Sequence, residues 1–286
     1  AQAGGAVLIF TRLAVTRQTV EEARGCGIEI RIARQPEDVG AEGIYVTNYE
    51  RLDGMMDGGV MGRLSGVVLD ESSILKNFTG KTSTALREAA RGIPYRLCAT
   101  ATPAPNDWAE LGTHAEFLGV MTSGQMLATW FVNDTGDTGT WRLKGHARED
   151  FWRWVGEWAA CIFKPSDVGD SDEGYDLPGL EIVEERFAVA QSEARADAKG
   201  EMLFDMTVVN AANKSREARK TLEERARYIA EMVKADGGEP WCVFVETNEE
   251  ADAVGAALDA LGCDDWVEVR GSDRPEHKEE RLWQFT

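Results

Sequence analysis

Short apolar runs alternate with helix-like segments through the first hundred residues of the chain. Residues 6–10, 43–47 and 65–70 are strand-length runs rich in aliphatic and β-branched side chains. Residues 16–24 and 82–91 have the pattern of amphipathic helices. This alternation predicts an α/β fold, with a parallel sheet flanked by helices on both faces.

Two of the predicted strands end in residues that carry chemistry. Asp70 ends the run 65–70 and is followed by Glu71, and Thr100 ends another apolar run at 95–100. Ligands of open parallel sheets bind at the carboxyl ends of the strands. We therefore expect Asp70 and Thr100 at one edge of the sheet.

The pattern changes after residue 130 and restarts near the end of the chain. We expect an inserted loop over about 134–148, a tryptophan-rich helix at 151–163, a polar linker at 166–190 and a largely helical stretch at 192–234. The later elements are strands at 241–245 and 266–269 and helices at 249–261 and 274–285. The chain is thus predicted to hold a nearly complete lobe at 1–165 and part of a second α/β lobe at 191–286.

The composition is that of a globular protein. The chain has 286 residues, 43% apolar and 28% charged, which suggests about two domains and excludes a disordered chain. The longest uncharged stretch, 117–133, has 17 residues and includes polar ones, so we expect no membrane-spanning helix. The five cysteines include no CxxC pair and are predicted to be reduced thiols of a cytoplasmic protein.

The net charge of −19 argues at first against a nucleic-acid partner, because phosphate backbones select clustered Lys and Arg. Its distribution weakens that argument. Only −3 falls in residues 1–120, and the remaining −16 lies in residues 121–286. The excess acidity is expected in the linker and the second half, so nucleic acid stays open as a partner of the first lobe.

The acidic pair Asp70 and Glu71 has two interpretations. Adjacent carboxylates at the end of a strand suit metal-assisted hydrolysis of a nucleoside triphosphate, in which one holds Mg²⁺ and the other orients the attacking water. An acidic pair also favours the first turn of a following helix, which is a structural role. Thr100 and Thr102 are either hydroxyls that sense a γ-phosphate beside such a site or part of an ordinary turn that ends at Pro103.

The order of these segments resembles the Swi/Snf-type branch of the superfamily 2 helicase-like ATPases, of the compact kind found in bacterial and phage genomes. Asp70-Glu71-Ser72-Ser73 is similar to the DExx motif of that family, Lys76-Asn77 to the pair that follows it, and residues 100–107 to its threonine-rich motif. Residues 8–15 resemble motif Ia, 46–50 motif Ib, 163–178 the segment between the lobes, and 243–248 motif IV. The match runs in family order through nearly the whole chain.

The resemblance implies two RecA-like lobes that bind ATP and Mg²⁺ and move along double-stranded DNA, with RNA left open as the nucleic acid. We expect the protein to be a monomer. Asp70 would organise Mg²⁺ through water, and Glu71 would be the catalytic base. Thr100 and Thr102 would couple the nucleotide state to the grip on DNA. The residues implied to contact the phosphate backbone are Thr47 and Asn48, with Lys76 and Asn77 as further candidates near the same cleft.

Two parts of the family pattern are missing from the sequence. No phosphate loop of the GxxxxGKT type precedes motif Ia, and the triplet Gly80-Lys81-Thr82 follows the DExx strand and has Leu75 where the first glycine belongs. Motifs V and VI are also absent; an arginine finger of the kind they supply contributes about 10³–10⁵ in rate. We therefore expect an internal fragment of a longer protein, with negligible hydrolysis by these 286 residues alone.

Other patterns favour structural roles. The apolar stripe of Phe151, Trp154, Val155 and Trp158 predicts core packing, with base stacking as the alternative. Four basic residues alternate over 142–148, where a solvated loop is expected and contact with a phosphate backbone is the alternative. The three histidines lack the spacing of zinc ligands.

The leading hypothesis is a DNA-dependent ATPase, present as part of an ATP-dependent translocase. The main alternative is a non-catalytic pair of lobes that binds DNA or docks a protein. A third hypothesis is an unrelated α/β transferase in which Asp70 and Glu71 bind a metal–nucleotide complex. The sequence identifies no protein partner.

Overall fold

The computed structural model describes residues 4–133, 141–175, 179–185, 218–219 and 221–285. The chain divides into two compact units, one made of Ala1–Tyr175 with Pro275–Trp283 and the other of Asp176–Arg274 with Gln284–Thr286. The predicted loop at 134–148, linker at 166–190 and helical stretch at 192–234 lie partly outside the described residues. No helix in the described ranges combines the length and apolar character needed to cross a membrane.

A parallel five-stranded sheet forms the centre of the first unit in the described part of the chain. Its strands are β1 (Ala6–Thr11), β2 (Ile30–Ile32), β3 (Gly43–Asn48), β4 (Leu64–Asp70) and β5 (Tyr95–Ala99), in the order β2-β3-β1-β4-β5. Neighbouring strands are parallel throughout. The predicted α/β fold is confirmed here, and the strands predicted at 6–10, 43–47, 65–70 and 95–100 form within one residue of their expected bounds.

Helices connect and follow these strands. α1 (Thr16–Gly25) and α3 (Lys81–Ala90) lie where the sequence predicts them. Three short helices were not predicted: α2 (Leu52–Asp57), α4 (Leu111–Leu118) and α5 (Ser123–Trp130). Few charged residues mark a polar face along α4 and α5. A hairpin of β6 (Phe131–Asn133) and β7 (Trp141–Leu143) leads into α6 (Arg148–Trp158), the predicted tryptophan-rich helix.

The main core of the first unit is built on alternate residues of the central strands. Leu8 and Phe10 of β1 and Val67 and Leu69 of β4 are buried together, and Leu86 of α3 belongs to the same cluster. Alternate side chains of a strand point to one face of a sheet, so these positions share a face. The residues that follow β1 and β4 are therefore held by a packed interior.

A second cluster of buried side chains surrounds Phe151 of α6. Its ring lies 5.5–5.9 Å, centroid to centroid, from the rings of Trp130, Phe131 and Trp154. Trp158 and Val155 pack against the cluster as partly buried residues. The prediction that the stripe on this helix packs in the core is confirmed.

The alternating basic residues beside the hairpin have different environments. Lys144 donates from Nζ to the carbonyls of Ala128 and Thr129 at 3.2 and 2.9 Å, at the end of α5. A positive charge at a helix C-terminus is stabilising. Arg142, His146 and Arg148 are exposed, as expected of a solvated segment.

The described part of the second unit is helical. α7 (Leu222–Ala235) and α8 (Asn248–Ala260) pack together through Ala226, Ala230, Val254 and Leu258. The last helix, α9 (Pro275–Phe285), belongs mostly to the first unit, where Glu279 accepts from Arg17 at 3.1 Å. The helices predicted at 249–261 and 274–285 are confirmed.

The two strands predicted for the second unit are wrong. Residues 241–245 and 266–269 have no strand structure, and Phe244 is 92% exposed. A strand is stable only when its backbone groups find a hydrogen-bonded neighbour. The described residues of this unit supply no sheet to either segment.

Candidate functional site

The chain changes direction sharply where β4 ends. Asp70 is the last residue of β4, Glu71 adopts the left-handed conformation with φ 56° and ψ 54°, and a 3-10 helix at Ser72–Lys76 follows. Among the described residues, Glu71 is the one non-glycine residue with a positive φ. Such a conformation costs on the order of 1–2 kcal/mol for a residue with a side chain. Contacts around the turn must therefore hold it in place.

Two residues, at the ends of β1 and β3, hold Asp70 in place. Its Oδ2 accepts a hydrogen bond from the Thr11 hydroxyl at 2.8 Å, and its backbone carbonyl accepts one from the Tyr49 hydroxyl at 2.8 Å. Thr11 ends β1, which pairs with β4, and Tyr49 directly follows β3. The carboxyl ends of three parallel strands thus converge on Asp70.

Glu71 is held by two hydroxyl groups on one carboxylate oxygen. Its Oε1 accepts from Ser73 Oγ at 2.5 Å and from Thr100 Oγ1 at 3.2 Å. The Thr100 hydroxyl in turn accepts from the backbone N–H of Thr102 at 3.1 Å, while the Thr102 side chain is exposed. The structure therefore joins three of the predicted site residues, Glu71, Thr100 and Thr102, in one hydrogen-bonded chain next to Asp70.

The groups behind this edge are protonated. Burial raises the pKa of Tyr49, and the nearby Cys98, Asp70 and Glu71 raise it further, so its hydroxyl is available to donate. Burial likewise raises the pKa of the Cys98 thiol to about 12. The Tyr49 hydroxyl that donates to the Asp70 carbonyl is thus neutral.

Thr47 and Asn48, at the end of β3, are buried. They are 0% and 3% exposed, and neither Thr47 Oγ1 nor Asn48 Oδ1 has a hydrogen-bond partner among the described residues. In the sheet they lie opposite Phe10 and Thr11 of β1. They share the edge with Asp70, but a phosphate would reach their side chains only after the end of β3 opened.

Lys76 and Asn77 lie apart from the acidic pair. Lys76 is exposed at the end of the 3-10 helix, and Asn77 Oδ1 accepts from the backbone N–H of Thr79 at 3.2 Å. Within the described ranges, no hydrogen bond or ion pair joins either residue to Asp70 or Glu71. The triplet at 80–82 forms the beginning of α3, with Gly80 as its N-cap.

The edge of the sheet has donors suited to Mg²⁺ but no complete metal site. No group of three or more His, Cys, Asp or Glu in the described part of the chain could hold a metal ion. In nucleotide sites, Mg²⁺ is bound by one or two carboxylates together with waters and substrate phosphates. Thr11 donates to Oδ2 of Asp70, and Oδ1 accepts no hydrogen bond from a described residue. Asp70 therefore has one carboxylate oxygen open to this chemistry.

Three residues of this constellation were not predicted from the sequence. Thr11 and Tyr49 hold Asp70, and Ser73 holds Glu71. The rule that places Asp70 at the carboxyl edge applies equally to Thr11, which ends a strand run, so this residue could have been found. No local pattern distinguishes Tyr49, because its contact joins residues 21 positions apart.

A family model described as the SNF2-related domain matches residues 11–153, which is half of the chain. The chain belongs to this family. The SNF2-related span includes Asp70, Glu71, Thr100 and Thr102, and it begins at Thr11. The family is one of helicase-like ATPases, in agreement with the sequence resemblance.

Among solved structures, the SNF2-related chain is similar to the SWI2/SNF2 ATPase core of Sulfolobus solfataricus in complex with double-stranded DNA. The two are 18% identical, with a TM-score of 0.40, over 55% of this chain and 33% of that one. The chain thus spans about a third of the length of this relative, and a similarity of that size carries no argument about the site. No curated protein matches the chain.

Proposed function

We propose that the protein in which this SNF2-related domain occurs hydrolyses ATP with Mg²⁺ and couples the hydrolysis to movement along double-stranded DNA. One observation supports this most directly. Glu71 is held by Ser73 and Thr100 beside Asp70, at the carboxyl edge of a parallel sheet inside the span that matches the family. A carboxylate oriented by neighbouring hydroxyls suits the task of positioning a water molecule.

Asp70 is the proposed Mg²⁺-organising residue. Thr11 orients its carboxylate by donating to Oδ2, and Oδ1 accepts no hydrogen bond from a described residue. Mg²⁺, when bound, would neutralise charge on the phosphates of ATP. The chain itself holds one carboxylate at the place where β1, β3 and β4 end, and this carboxylate would organise Mg²⁺ through water.

Glu71 is the proposed catalytic base. Its Oε1 is occupied by two hydroxyl donors, so the other oxygen, Oε2, is the one left to accept a proton from water. The left-handed backbone of Glu71 sets the direction of the side chain. Thr100 and Thr102 would transmit a change at Glu71 into the loop that follows β5, and so couple nucleotide state to DNA grip.

The nucleic-acid contacts and the division into lobes are part of the same proposal. Lys76 and Asn77 would contact a phosphate backbone from an exposed segment, and Thr47 and Asn48 would do so once the end of β3 opened. We propose a first lobe at 1–165, a linker at 166–190 and part of a second lobe at 191–286. The nucleic acid is double-stranded DNA, and the protein acts as a monomer.

Hydrolysis assays on the protein in which this chain occurs test the proposal. We expect ATP turnover that requires Mg²⁺ and rises when double-stranded DNA is added, with RNA compared at equal nucleotide concentration. Glu71→Gln should abolish turnover while ATP binding is kept, because the amide cannot take a proton. Glu88→Gln, an exposed position on α3, is the matched control and should leave turnover unchanged.

The assay separates the competing hypotheses. Wild-type protein that binds DNA without hydrolysing ATP would support a non-catalytic module instead. Turnover that continues in Glu71→Gln at the wild-type rate would remove the role given to Glu71. Hydrolysis without any response to nucleic acid would remove the translocase.

A further inference from the structure

His114 is a buried imidazole that the proposed chemistry does not use. It lies on α4 and is 3% exposed, and neither ring nitrogen makes a hydrogen bond in the described part of the chain. An unpaired polar group in the interior is unfavourable, and a leucine would fill similar space without that loss. The presence of histidine here therefore points to a role for its N–H.

α4 packs against the 3-10 helix that begins at Ser72. Two backbone carbonyls near the ring raise its pKa: that of Glu110, the N-cap of α4, and that of Ser72. The carbonyl of Glu110 already accepts the Thr113 hydroxyl at 2.8 Å. The Ser72 carbonyl is therefore the acceptor through which His114 can act outside its own helix.

Ser72 is a sensitive place for such a contact. It is fully buried, its hydroxyl has no hydrogen-bond partner among the described residues, and it separates Glu71 from Ser73. The hydrogen bond from Ser73 to Glu71 spans Ser72. A shift of Ser72 would therefore move both ends of the contact that orients the Glu71 carboxylate.

The protonation state of the ring suits this arrangement. Burial lowers the pKa of His114, and the carbonyls of Glu110 and Ser72 offset the effect only in part, so the ring is neutral. A neutral imidazole has one N–H to donate. The Ser72 carbonyl is the acceptor for that N–H outside α4.

We propose that His114 is a positioning residue, which donates its ring N–H to the Ser72 carbonyl and so holds the Glu71 turn against α4. Its effect on hydrolysis rests on the function proposed above, whereas the contact itself does not. The same helix is tied to the loop after β5, since Asn106 Nδ2 donates to Glu110 Oε1 at 2.7 Å. His114 thereby connects the loop that carries Thr102 to the turn that carries Glu71.

The first test compares His114→Gln, which keeps an N–H donor, with His114→Leu, which keeps volume only, in the ATP assay. We expect His114→Leu to lower kcat at least about tenfold with KM for ATP within about twofold, and His114→Gln to stay within about threefold of wild type. Equal kcat in all three proteins, or an equal loss in both variants at matched Tm, would overturn the positioning role.

The second test needs no variant at position 114. In nitrogen–proton spectra of the wild-type 286-residue chain, we expect one ring N–H of His114 to exchange slowly with solvent. His146→Gln and His277→Gln assign the three histidine signals. A His114 ring N–H that exchanges as fast as that of exposed His146 would overturn the contact.

The two tests separate failure of this inference from failure of the proposed function. A wild-type protein without ATPase activity would remove the function, and the spectra would still decide whether His114 holds Ser72. An active wild-type protein with a fast-exchanging ring would remove the inference alone. If His114→Leu does not fold, the spectra and the kcat of His114→Gln decide.

Discussion

The two units of the molecule bury their apolar side chains to different extents, although the sequence predicts strands and helices in both. In the first unit, β1 lies between β3 and β4, and Phe10 is fully buried. In the second, residues 241–245 have an equally apolar pattern but no neighbouring strand among the described residues, and Phe244 is 92% exposed. Helices form in both units. A helix makes its backbone hydrogen bonds within its own segment, whereas a parallel strand depends on the strands beside it.

Truncation of a phenylalanine to alanine should strongly destabilise the first unit and leave the stability of the second nearly unchanged. Phe10→Ala removes a ring from a closed core and should cost about 4 kcal/mol of unfolding free energy. Phe244→Ala removes an exposed ring and should change it by less than about 0.5 kcal/mol. Hydrogen exchange of peptides from each unit measures both. Similar losses in both variants would mean that 241–245 is packed in solution.

Ion pairs should show the same contrast with a smaller effect. Arg87 Nη1 lies 2.9 Å from Glu116 Oε2, with 8% and 16% of the two side chains exposed, whereas the Arg219–Glu249 pair is 67% and 57% exposed. Arg87→Met leaves a mostly buried carboxylate and should cost about 3 kcal/mol. Arg219→Met should cost below about 1 kcal/mol. Equal effects in urea unfolding would contradict this difference.

Acid should weaken both units, and in each of them a carboxylate with a lowered pKa contributes to the effect. The pKa of Glu116 is lowered because bonds from Ser123 and the charge of Arg87 outweigh its burial, and the pKa of Glu250 is lowered by its hydrogen bond from Arg225. A lowered folded-state pKa contributes stability above the unfolded value of 4.5, which is lost as the pH falls below it.

The pH effect can be assigned with two variants. Between pH 6 and pH 3.5, the wild-type urea midpoint should fall further than that of Glu116→Gln in the first unit and of Glu250→Gln in the second. The variants themselves should be less stable than wild type at pH 6. A wild-type midpoint that falls no more than those of the variants would show that neither carboxylate contributes.

Helix caps should give the smallest effect, and an equal one in the two units. Thr122 caps α5 and Thr247 caps α8 through reciprocal bonds with Gln125 and Glu250. Thr122→Ala and Thr247→Ala should each cost about 1 kcal/mol, because a cap acts within one turn. Amide exchange in the first turns of the two helices tests this. An effect confined to one unit would show that the caps depend on the surrounding packing.

Much of the first unit follows from local patterns. Its strands end where apolar runs meet polar residues, and this spacing alone predicts Asp70 and Thr100 at the same edge of the sheet. The pattern of apolar and polar residues does not predict α4 and α5, because their sequences have almost no charged residues to mark a polar face. In the second unit, the apolar runs at 241–245 and 266–269 are misleading, because periodicity does not show whether a pairing neighbour exists.

The sequence by itself determined the α/β order of the first unit, the carboxylates at the end of β4 and the family to which they point. These features depend on short-range spacing and on the alternation of side chains along a strand. Only the tertiary structure decided that Thr11 holds Asp70, that Thr100 reaches Glu71, that Thr47 and Asn48 are buried, and that α4, which carries His114, packs against the 3-10 helix that begins at Ser72. Each of these contacts joins residues far apart in the chain or depends on how a strand end packs, and chain spacing carries no information about either.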